Sequence, residues 1–526
     1  MSNRFLERLG KQRLSFDGGT GSVLLCRGLR PGEGSEVMND RDPETVVELH
    51  RSYVMAGADI VKTNTFGINK LKYSDYDNRL RLALALAKRA VEGSEALVAF
   101  DIGPTGRLLE PLGSLSFDDA VDVFRASCRV AEEEGADLIL IETMSDLYEV
   151  KAAVIGAKEG ASLPIAVTCA FDERGRLMTG ADVACVAKTL EALGVSCLGV
   201  NCSFGPDAML PLVSEFREAT SLPVIVNPNA GLPTLENGRT VYNVSPEDFA
   251  NSMRSIVEKG ASLIGGCCGT NPDYIRAALC ATADLPVAAE SKARSAAVTS
   301  FNRAVDLCAG VVIVGDRIRP GSCDEVDEAL SSDDVYTLVD EVMSEEDCGA
   351  QIIGIRVDSD GACEEKLMQS AIKAISEVCS LPLMIESDDE RVISLAMRIY
   401  NGAPLVRVRR AEESFLRSLL PEVKKYGASL VLPLSADGSD CLGEAEALIG
   451  LAAEYGISCG RVLCEIACTE NAPALVATLK AKGMGCAMAF ASDDAPLLSA
   501  ALRSGLDIAF YDPTSSVLSQ AFDSLK

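Results

Sequence analysis

Three consecutive stretches decide the fold: LVAFDIGPTG at residues 97–106, FDDAVDVFRASCRVAEEEGA at 117–136 and DLILIETM at 137–144. The first and third are short apolar runs that end in polar residues or glycine. The middle stretch has apolar residues at helical spacing, with Ser116 placed to cap its start and Gly135 to end it. Continuous apolar runs indicate strands that are buried on both faces, as in parallel sheets. The three stretches therefore predict a β-α-β unit.

The same unit recurs along the first half of the chain. Further apolar runs are LSFDGGTG (14–21), DIVKTNTF (59–66), PIAVTCAF (164–171), CLGVNCSFGP (197–206), PVIVNPNAG (223–231) and SLIGGCCGT (262–270). With the two runs quoted above they make eight strands, and helical patterns lie between them. Eight β-then-α units predict a (β/α)8 barrel of the TIM type. A doubly wound open sheet is the alternative, but no Gly-x-Gly-x-x-Gly follows the first strand.

The second half of the chain also contains eight candidate strands. Its candidate strands are VVIVGDR (311–317), IIGIRVD (352–358), PLMIES (382–387), PLVRVRR (404–410), SLVLPLS (429–435), VLCEIA (462–467), CAMAFAS (486–492) and LDIAFYDP (506–513). Residues 281–300 between the halves are mostly small or polar, as linkers are. The sequence therefore predicts an α/β protein with two (β/α)8 barrels in tandem: residues 1–285, a linker at 286–300, and residues 301–526.

Composition excludes several functions. The 526 residues carry a formal net charge of −28, which argues against binding to nucleic acid or to an anionic membrane surface. His50 is the only histidine and lies in a helical pattern. A Ser-His-Asp triad and a His-Glu-x-x-His zinc site are therefore implausible. The N-terminal stretch lacks the apolar core of a signal peptide, and no run is long enough to span a membrane. We expect a cytoplasmic protein, in which the 19 cysteines are free thiols or metal ligands.

Cys202, Cys267 and Cys268 are the most informative candidates for chemistry. They follow the sixth and eighth predicted strands of the first barrel, so they open onto its carboxyl-terminal face, where barrel active sites lie. Three thiolates can hold Zn²⁺ and leave a fourth position open. A substrate thiol bound at that position loses its proton and remains nucleophilic, which suits alkyl transfer to sulfur. The alternative is that an apolar strand simply contains small thiol side chains.

Two acidic residues end other strands of the same barrel. Asp17, in SFDGGTG, could bind an ammonium group, while the backbone amides of Gly18, Gly19 and Thr20 take a carboxylate. Glu142, in LIETM, could be a second ammonium partner. These groups would together bind an amino acid. The alternatives are an ordinary turn at Asp17 and a solvated strand end at Glu142.

The first half resembles the homocysteine S-methyltransferase family. The resemblance rests on LSFDGGTG, GADIVKTNTFG, IGPTG, DLILIETM, GVNCSFGP, NPNAGLP and GGCCGTNP, which occur in this order. It implies that the three cysteines are zinc ligands, that Asp17 and Glu142 contact the homocysteine ammonium group, and that the DGGTG amides hold its carboxylate. The implied product is methionine. We also place Asn201, which precedes Cys202, among the substrate-binding residues.

The second half resembles the folate-binding barrel of cobalamin-dependent relatives only in part. GVVIVGDRIRPGS (310–322) is similar to the opening of that barrel. Gly354 and Arg356 stand where the family's pterin-binding Asp and Asn are expected, Glu386 replaces an Asp, and PLVRVRR lacks an Asn. Arginine binds anions rather than a pterin edge, so these departures count against folate as a cofactor. Arg407, Arg409 and Arg410 either face an anionic ligand or are solvated.

The methyl donor stays open. The family's corrinoid module carries an Asp-x-His-x-x-Gly motif, which His50 does not match. A separate methyl-corrinoid protein is therefore the first hypothesis, so that cobalamin would act only through that partner. The alternatives are a small donor such as a sulfonium compound, betaine or S-adenosylmethionine, and methyltetrahydrofolate. A further hypothesis places the chain outside the enzymes, as a non-catalytic protein that binds homocysteine or zinc.

Overall fold

A computed structural model of the chain describes residues 3–236, 239–288, 296–307, 309–359, 363–435 and 440–524. The chain forms two compact units. The first contains residues 1–191 and 195–293, and the second contains residues 192–194 and 294–526. Each unit is built around one eight-stranded parallel sheet, so the predicted pair of barrels is confirmed.

The sheet of the first unit runs in the order β1-β10-β7-β6-β5-β4-β3-β2, with all neighbours parallel. A parallel bridge between Phe16 and Ile60 joins its two ends, so the sheet closes on itself. Its strands are β1 Leu14–Ser15, β2 Ile60–Lys62, β3 Leu97–Ile102, β4 Leu138–Met144, β5 Ile165–Cys169, β6 Cys197–Asn201, β7 Val224–Asn227 and β10 Leu263–Ile264. Each falls within a run that the sequence predicted. A separate antiparallel hairpin, β8 Pro233–Glu236 and β9 Arg239–Tyr242, follows β7 and was not predicted.

Helices alternate with these strands. They are α1 Arg4–Arg8, α2 Thr20–Cys26, α3 Met38–Arg41, α4 Pro43–Ala56, α5 Tyr76–Val91, α6 Phe117–Glu133, α7 Leu147–Gly160, α8 Val183–Ala192, α9 Pro206–Ala219, α10 Pro246–Glu258 and α11 Pro272–Thr282. The caps of α6 follow the prediction, because the Ser116 side chain accepts a hydrogen bond from the Asp119 amide. Gly135 just beyond the helix has φ of 66°, a conformation that glycine adopts without strain.

The interior of the first barrel is filled by side chains that point inward from alternate strand positions. Leu14, Ile60, Leu97, Leu138 and Ile225 belong to one buried cluster. Phe5 of α1 is also part of that cluster and is fully buried. Because β2 alternates, Ile60 and Lys62 share a face of the strand, with Lys62 at its carboxyl end. The apolar core therefore fills the interior of the barrel, and Lys62 lies at the carboxyl-terminal end of that core.

The second unit is a closed barrel in the order β13-β14-β15-β16-β17-β18-β19-β20. Its strands are β13 Val312–Ile318, β14 Ile352–Ile355, β15 Leu383–Glu386, β16 Leu405–Arg407, β17 Ser429–Pro433, β18 Val462–Glu465, β19 Gly485–Ala489 and β20 Ile508–Tyr511. Its helices are α12 Asp324–Ser332, α13 Val335–Asp347, α14 Glu364–Val378, α15 Glu390–Ile399, α16 Glu413–Tyr426, α17 Cys441–Glu454, α18 Ala472–Ala481, α19 Ala495–Arg503 and α20 Ser516–Asp523. All eight strands overlap the predicted runs.

A hairpin precedes the second barrel, in part of the stretch assigned to the linker. Strands β11 Ala297–Thr299 and β12 Ala304–Asp306 pair antiparallel. Val298 is fully buried in the same cluster as Val314 and Leu405 of the barrel strands. Residues 297–299 of the stretch predicted as a linker therefore form a strand that packs onto the barrel core through Val298, and the linker bounds of 286–300 stay a prediction. Residues 289–295 of that predicted linker lie outside the described residues.

Within the described ranges, no helix combines the length and the apolar character that crossing a membrane requires.

Candidate active site

Three thiols meet at the carboxyl-terminal end of the first barrel. Cys202 follows β6, and Cys267 and Cys268 follow β10. The Sγ atoms of Cys202 and Cys268 are 3.5 Å apart, and all three sulfur atoms lie within 4.8 Å of one another. Tetrahedral ligands at about 2.3 Å from zinc place their sulfur atoms about 3.8 Å apart. The spacing and the soft donor set therefore fit a Zn²⁺ ion with three protein ligands.

Backbone hydrogen bonds from neighbouring strands hold the thiol loops in place. The Cys202 amide donates to the Asn227 carbonyl at 3.2 Å, and the Cys267 amide donates to the Pro228 carbonyl at 2.8 Å. The Cys268 amide donates to Asn229 Oδ1 at 3.1 Å. Cys202 itself has φ of 50°, an uncommon conformation for a residue with a side chain. Such strain concentrates at functional sites, where the surrounding structure enforces it.

Hydrogen bonds among the thiols favour one thiolate even without a metal. The pKa of the Cys268 thiol is lowered to about 3, because the Cys202 and Cys267 thiols bond to its thiolate. The pKa of the Cys267 thiol is raised well above its ordinary value, because its proton is shared with its two neighbours. The cluster thus already stabilises negative charge on sulfur, which is the form that binds a metal.

Asp17 and Glu142 lie together beside the thiol cluster, as the sequence predicted, but a third residue lies between them. Lys62 Nζ is 3.1 Å from Glu142 Oε1 and 3.8 Å from Asp17 Oδ1. The Lys62 amide also donates to Asp17 Oδ2 at 3.0 Å. Glu142 is only 5% exposed, so the alternative of a solvated strand end is wrong. The three side chains form a buried charge cluster at the barrel mouth.

Burial and charge act in opposite directions on this cluster. Burial raises the pKa of Asp17 to about 7, although Lys62 counteracts the shift. Burial alone would lower the pKa of Lys62, but Glu142, Asp17 and Cys267 raise it well above its ordinary value. Asp101, which lies in β3, belongs to the same set, because burial and Glu142 raise its pKa well above its ordinary value. Lys62 is therefore a permanent cation among three carboxyl groups.

The glycine-rich turn after β1 is only partly available for a ligand. The Gly19 amide donates to Thr270 Oγ1 at 3.1 Å and to the Thr270 carbonyl at 3.3 Å. A Cβ atom at Gly18 would lie 2.7 Å from Thr270 Oγ1, so this close approach requires glycine. The prediction that backbone amides bind a substrate carboxylate therefore still applies to Gly18 and Thr20. The Gly19 amide is used within the turn.

Asn201 contacts Thr143 rather than projecting alone into the site. Its Oδ1 accepts a hydrogen bond from the Thr143 amide at 3.2 Å, and its Nδ2 donates to Thr143 Oγ1 at 2.7 Å. Thr143 has φ of 60° and directly follows Glu142. Asn201 therefore fixes the backbone turn that aims Glu142. Its predicted role in contacting substrate stays a prediction.

Sequence reasoning missed two residues of this site. Lys62 stands inside the quoted run DIVKTNTF, and its inward position follows from strand alternation with Ile60. Tyr242 of β9 donates a hydrogen bond to the Cys268 thiolate and lies so close to Gly269 that a Cβ atom there would be 2.3 Å from its ring. The sequence signal for the hairpin that carries Tyr242 is the dipeptide Asn237-Gly238 between its two strands, which is typical of a two-residue hairpin turn. His50 is fully buried, and burial lowers its pKa to about 4, in keeping with a packing role.

The mouth of the second barrel is occupied by ion pairs. Arg407 Nε is 2.9 Å from Glu465 Oε2, and its Nη1 is 3.0 Å from Glu386 Oε2. Its guanidinium also lies over the Phe510 ring, 4.4 Å from the centroid. Arg409 contacts Asp358 at 2.8 Å. Arg407 and Arg409 are therefore paired with carboxylates of the same unit. Arg407 neither faces an anionic ligand nor is solvated, which were the two environments expected for it.

Arg356 follows the same pattern, whereas Arg410 is exposed and binds a backbone carbonyl. Arg410 donates to the Asp388 carbonyl at 2.6 Å and lies over the Phe415 ring. Arg356 Nε is 2.6 Å from Asp358 Oδ1, and its Nη1 is 3.8 Å from Glu386 Oε1. Glu386, which stands where the resemblance places a pterin-binding Asp, therefore lies among three arginines: Arg356, Arg407 and Arg409.

The first unit is thus an α/β barrel with three thiols at its carboxyl-terminal end that could hold a metal ion. Residues 14–281 match the sequence model of a protein family described as homocysteine S-methyltransferase. That span is just over half of the chain, and the chain belongs to this family.

Curated relatives extend the likeness beyond the first barrel. The methionine synthase of Mycobacterium tuberculosis is 29% identical over 459 residues, which cover 81% of this chain and 38% of the relative. The methionine synthase of Mycobacterium leprae is 29% identical over 461 residues, with the same coverage of 81% and 38%. The chain thus spans well under half the length of the curated relatives it matches.

Solved structures also match part of the chain. The homocysteine methyltransferase MmuM from Escherichia coli, in its apo form, is 24% identical, with 53% of this chain and 98% of that chain covered and a TM-score of 0.43. The 7,8-dihydropteroate synthase from Vibrio fischeri is 12% identical, with 44% and 98% covered and a TM-score of 0.35.

Proposed function

We propose that the first barrel transfers a methyl group to the thiol of homocysteine and forms methionine. The observation that carries the proposal is the convergence of Cys202, Cys267 and Cys268 within 4.8 Å, beside buried carboxyl groups, in a chain of this family. Zinc held by these thiols would supply a fourth position at which the substrate sulfur is kept as a thiolate.

The other residues of the site orient the substrate. Asp17 and Glu142 bind the substrate ammonium group, and the turn at Gly18 and Thr20 receives its carboxylate. Asn201 and Thr143 hold Glu142 in place through their paired hydrogen bonds. The substrate sulfur forms a bond to the methyl carbon, and the donor leaves with the electron pair of the broken bond. Fixing the thiol and the methyl group in line lowers the entropic part of the barrier.

The proposed methyl donor is a separate methyl-corrinoid protein. Support comes from the second barrel, in which Glu386 and Arg407 contact each other instead of presenting groups for a pterin. Asp and Asn partners are what a pterin edge requires, and an arginine–carboxylate network offers a different pattern. A small sulfonium or betaine donor and methyltetrahydrofolate are the alternatives.

The test is methionine formation by zinc-loaded, anaerobically purified protein with homocysteine and free methylcobalamin. We expect turnover by the wild type and at least a hundredfold loss, with loss of zinc, in Cys267→Ser. Cys280→Ser is the matched control, because this exposed cysteine in α11 lies outside the cluster. Full activity of Cys267→Ser would falsify the zinc–thiol mechanism.

Two other outcomes distinguish the alternatives. Turnover with a sulfonium compound but not with methylcobalamin would replace the corrinoid partner by a small donor. Binding of homocysteine and zinc without turnover with any donor would favour the non-catalytic binding protein.

A further inference from the structure

Lys62 is a buried cation at the point where the proposed substrate ammonium group binds. It is the last residue of β2, and its side chain is 6% exposed. Lysine is rarely buried unless an ion pair compensates its charge. Here the compensation comes from Glu142 and Asp17, the two residues proposed to bind the substrate. An ammonium group of the protein thus shares the subsite that a substrate ammonium group needs.

The carboxylates around Lys62 retain unused acceptors. Asp17 Oδ1 and Asp101 Oδ1 are buried and have no hydrogen-bond partner among the residues that the structure describes. Buried polar atoms without partners are uncommon and indicate a place for a ligand group. A substrate ammonium group can therefore bind these oxygens beside Glu142 while Lys62 stays on Glu142 Oε1.

The charge of Lys62 has opposite consequences for the two ends of a substrate. It repels a cationic group and attracts a carboxylate, and both effects are strong in a site that excludes water. Lys62 should therefore give the site different affinities for two ligands that differ only in the sign of their charge.

We propose that Lys62 sets the charge preference of the thiol site, so that it accepts thiols carrying a carboxylate and rejects thiols whose only charged group is an ammonium. The inference rests on the proposed function and adds to it the substrate class: a zwitterionic or anionic thiol. Lys62 acts here as a specificity-determining residue and takes no part in bond formation.

A purely structural role for Lys62 makes a different prediction. If the lysine only stabilised the fold, its replacement would change the stability of the first barrel but would not change the relative affinity of thiols with different charges. The ratio of two affinities, measured on one folded protein, therefore separates the two roles.

The experiment is calorimetric titration of zinc-loaded protein with three thiols, without any methyl donor. They are homocysteine, 4-mercaptobutyrate, which lacks the ammonium group, and 3-mercaptopropylamine, which lacks the carboxylate. For the wild type we expect 4-mercaptobutyrate to bind more tightly than 3-mercaptopropylamine. In Lys62→Met we expect this preference to fall about tenfold or more, because one unit of positive charge is removed from a buried site. Zinc content and the far-UV circular dichroism spectrum should match the wild type.

Two further variants serve as controls. Lys62→Arg keeps the charge and should keep the preference of the wild type. Lys11→Met removes an exposed charge outside the site and should also change nothing. If Lys62→Met does not fold, Lys62→Gln takes its place in the same titration.

A preference that is unchanged within twofold in folded Lys62→Met would overturn the inference and leave the proposed function standing. Wild-type protein that binds zinc but none of the three thiols would overturn the proposed function, and the inference with it.

Discussion

At the scale of single residues, Asp17 combines a binding role with an unfavourable environment for its charge. It is fully buried, and burial raises its pKa to about 7. In the unfolded chain the same group titrates near its ordinary value of about 3.9. The folded protein therefore binds a proton here more tightly than the unfolded chain does, and stability falls as pH rises between these two values.

This sign leads to a prediction for Asp17→Asn. Between pH 5 and pH 7, the wild type should lose about 2–3 kcal/mol of stability relative to the variant, since each pH unit in this window contributes about 1.4 kcal/mol. The measurement is urea unfolding of metal-free protein at both pH values, followed on the transition of the first barrel. A stability difference between the two proteins that does not depend on pH would contradict the assignment.

Asn201 supports a second residue-scale prediction. Asn201→Leu leaves the amide and hydroxyl of the half-buried Thr143 without these partners, and each lost hydrogen bond costs about 1 kcal/mol. We expect lower stability and a KM for homocysteine that rises more than kcat falls, because Glu142 loses its support. Thr282→Val is the matched control, since its buried hydroxyl contacts only carbonyl groups within α11. An unchanged KM in a folded Asn201→Leu protein would remove Asn201 from the site.

The sequence could indicate the thiols but not the lysine. Cys202, Cys267 and Cys268 follow predicted strands, and parallel strands of a barrel end on one face, so their meeting could be anticipated. Lys62 also ends a strand, but a lysine side chain is long and usually reaches solvent. Strand alternation with Ile60 places Lys62 on the inward face of β2, but only the three-dimensional positions of Asp17 and Glu142 show that its ammonium group stays inside the barrel.

At the scale of elements, the barrel strands and one of the two hairpins leave a signal in the sequence. Strands of a barrel are buried on both faces, which leaves a continuous apolar run in the sequence. The β8–β9 hairpin has no such run, because it is not part of the barrel sheet, but Asn237-Gly238 between its strands is a typical hairpin signal. The β11–β12 hairpin is short, and Ala297 and Thr299 resemble linker residues. Its packing depends on Val298, which meets barrel residues far away in sequence.

Val298 provides the prediction at this scale. Val298→Asp places a charge in the fully buried end of the second barrel, and an uncompensated buried charge destabilises by several kcal/mol. We expect the second barrel to unfold at lower urea concentration while homocysteine binding by the first barrel is retained. Ala304→Asp, at an exposed position of the paired strand, is the control and should behave as the wild type. Equal stability of the two variants would show that the hairpin is a linker after all.

At the scale of the whole molecule, the two units have the same architecture but different interiors at the mouth. In the first unit, carboxylate oxygens of Asp17 and Asp101 have no hydrogen-bond partner among the described residues, and the thiols converge. In the second unit, Glu386 and Glu465 are both paired with Arg407. The (β/α)8 fold could be predicted for both from the strand count. The difference between the mouths could be predicted only as the absence of pterin motifs, because pairing between distant strand ends is not visible in a sequence.

The last prediction follows from this pairing. Methyltetrahydrofolate should not bind the protein, because Glu386 and Arg407 would have to give up an ion pair that buries both charges. Arg407→Met should lower the stability of the second barrel by about 3 kcal/mol, since Glu465 loses the arginine that pairs with it and Glu386 keeps only the more distant Arg356 and Arg409. Both are measured directly, by titration with methyltetrahydrofolate and by urea unfolding, with Arg391→Met at an exposed ion pair as the control. Tight folate binding by the wild type, abolished in Arg407→Met, would mean that the network opens to admit a pterin, and the second barrel would then be the source of the methyl group.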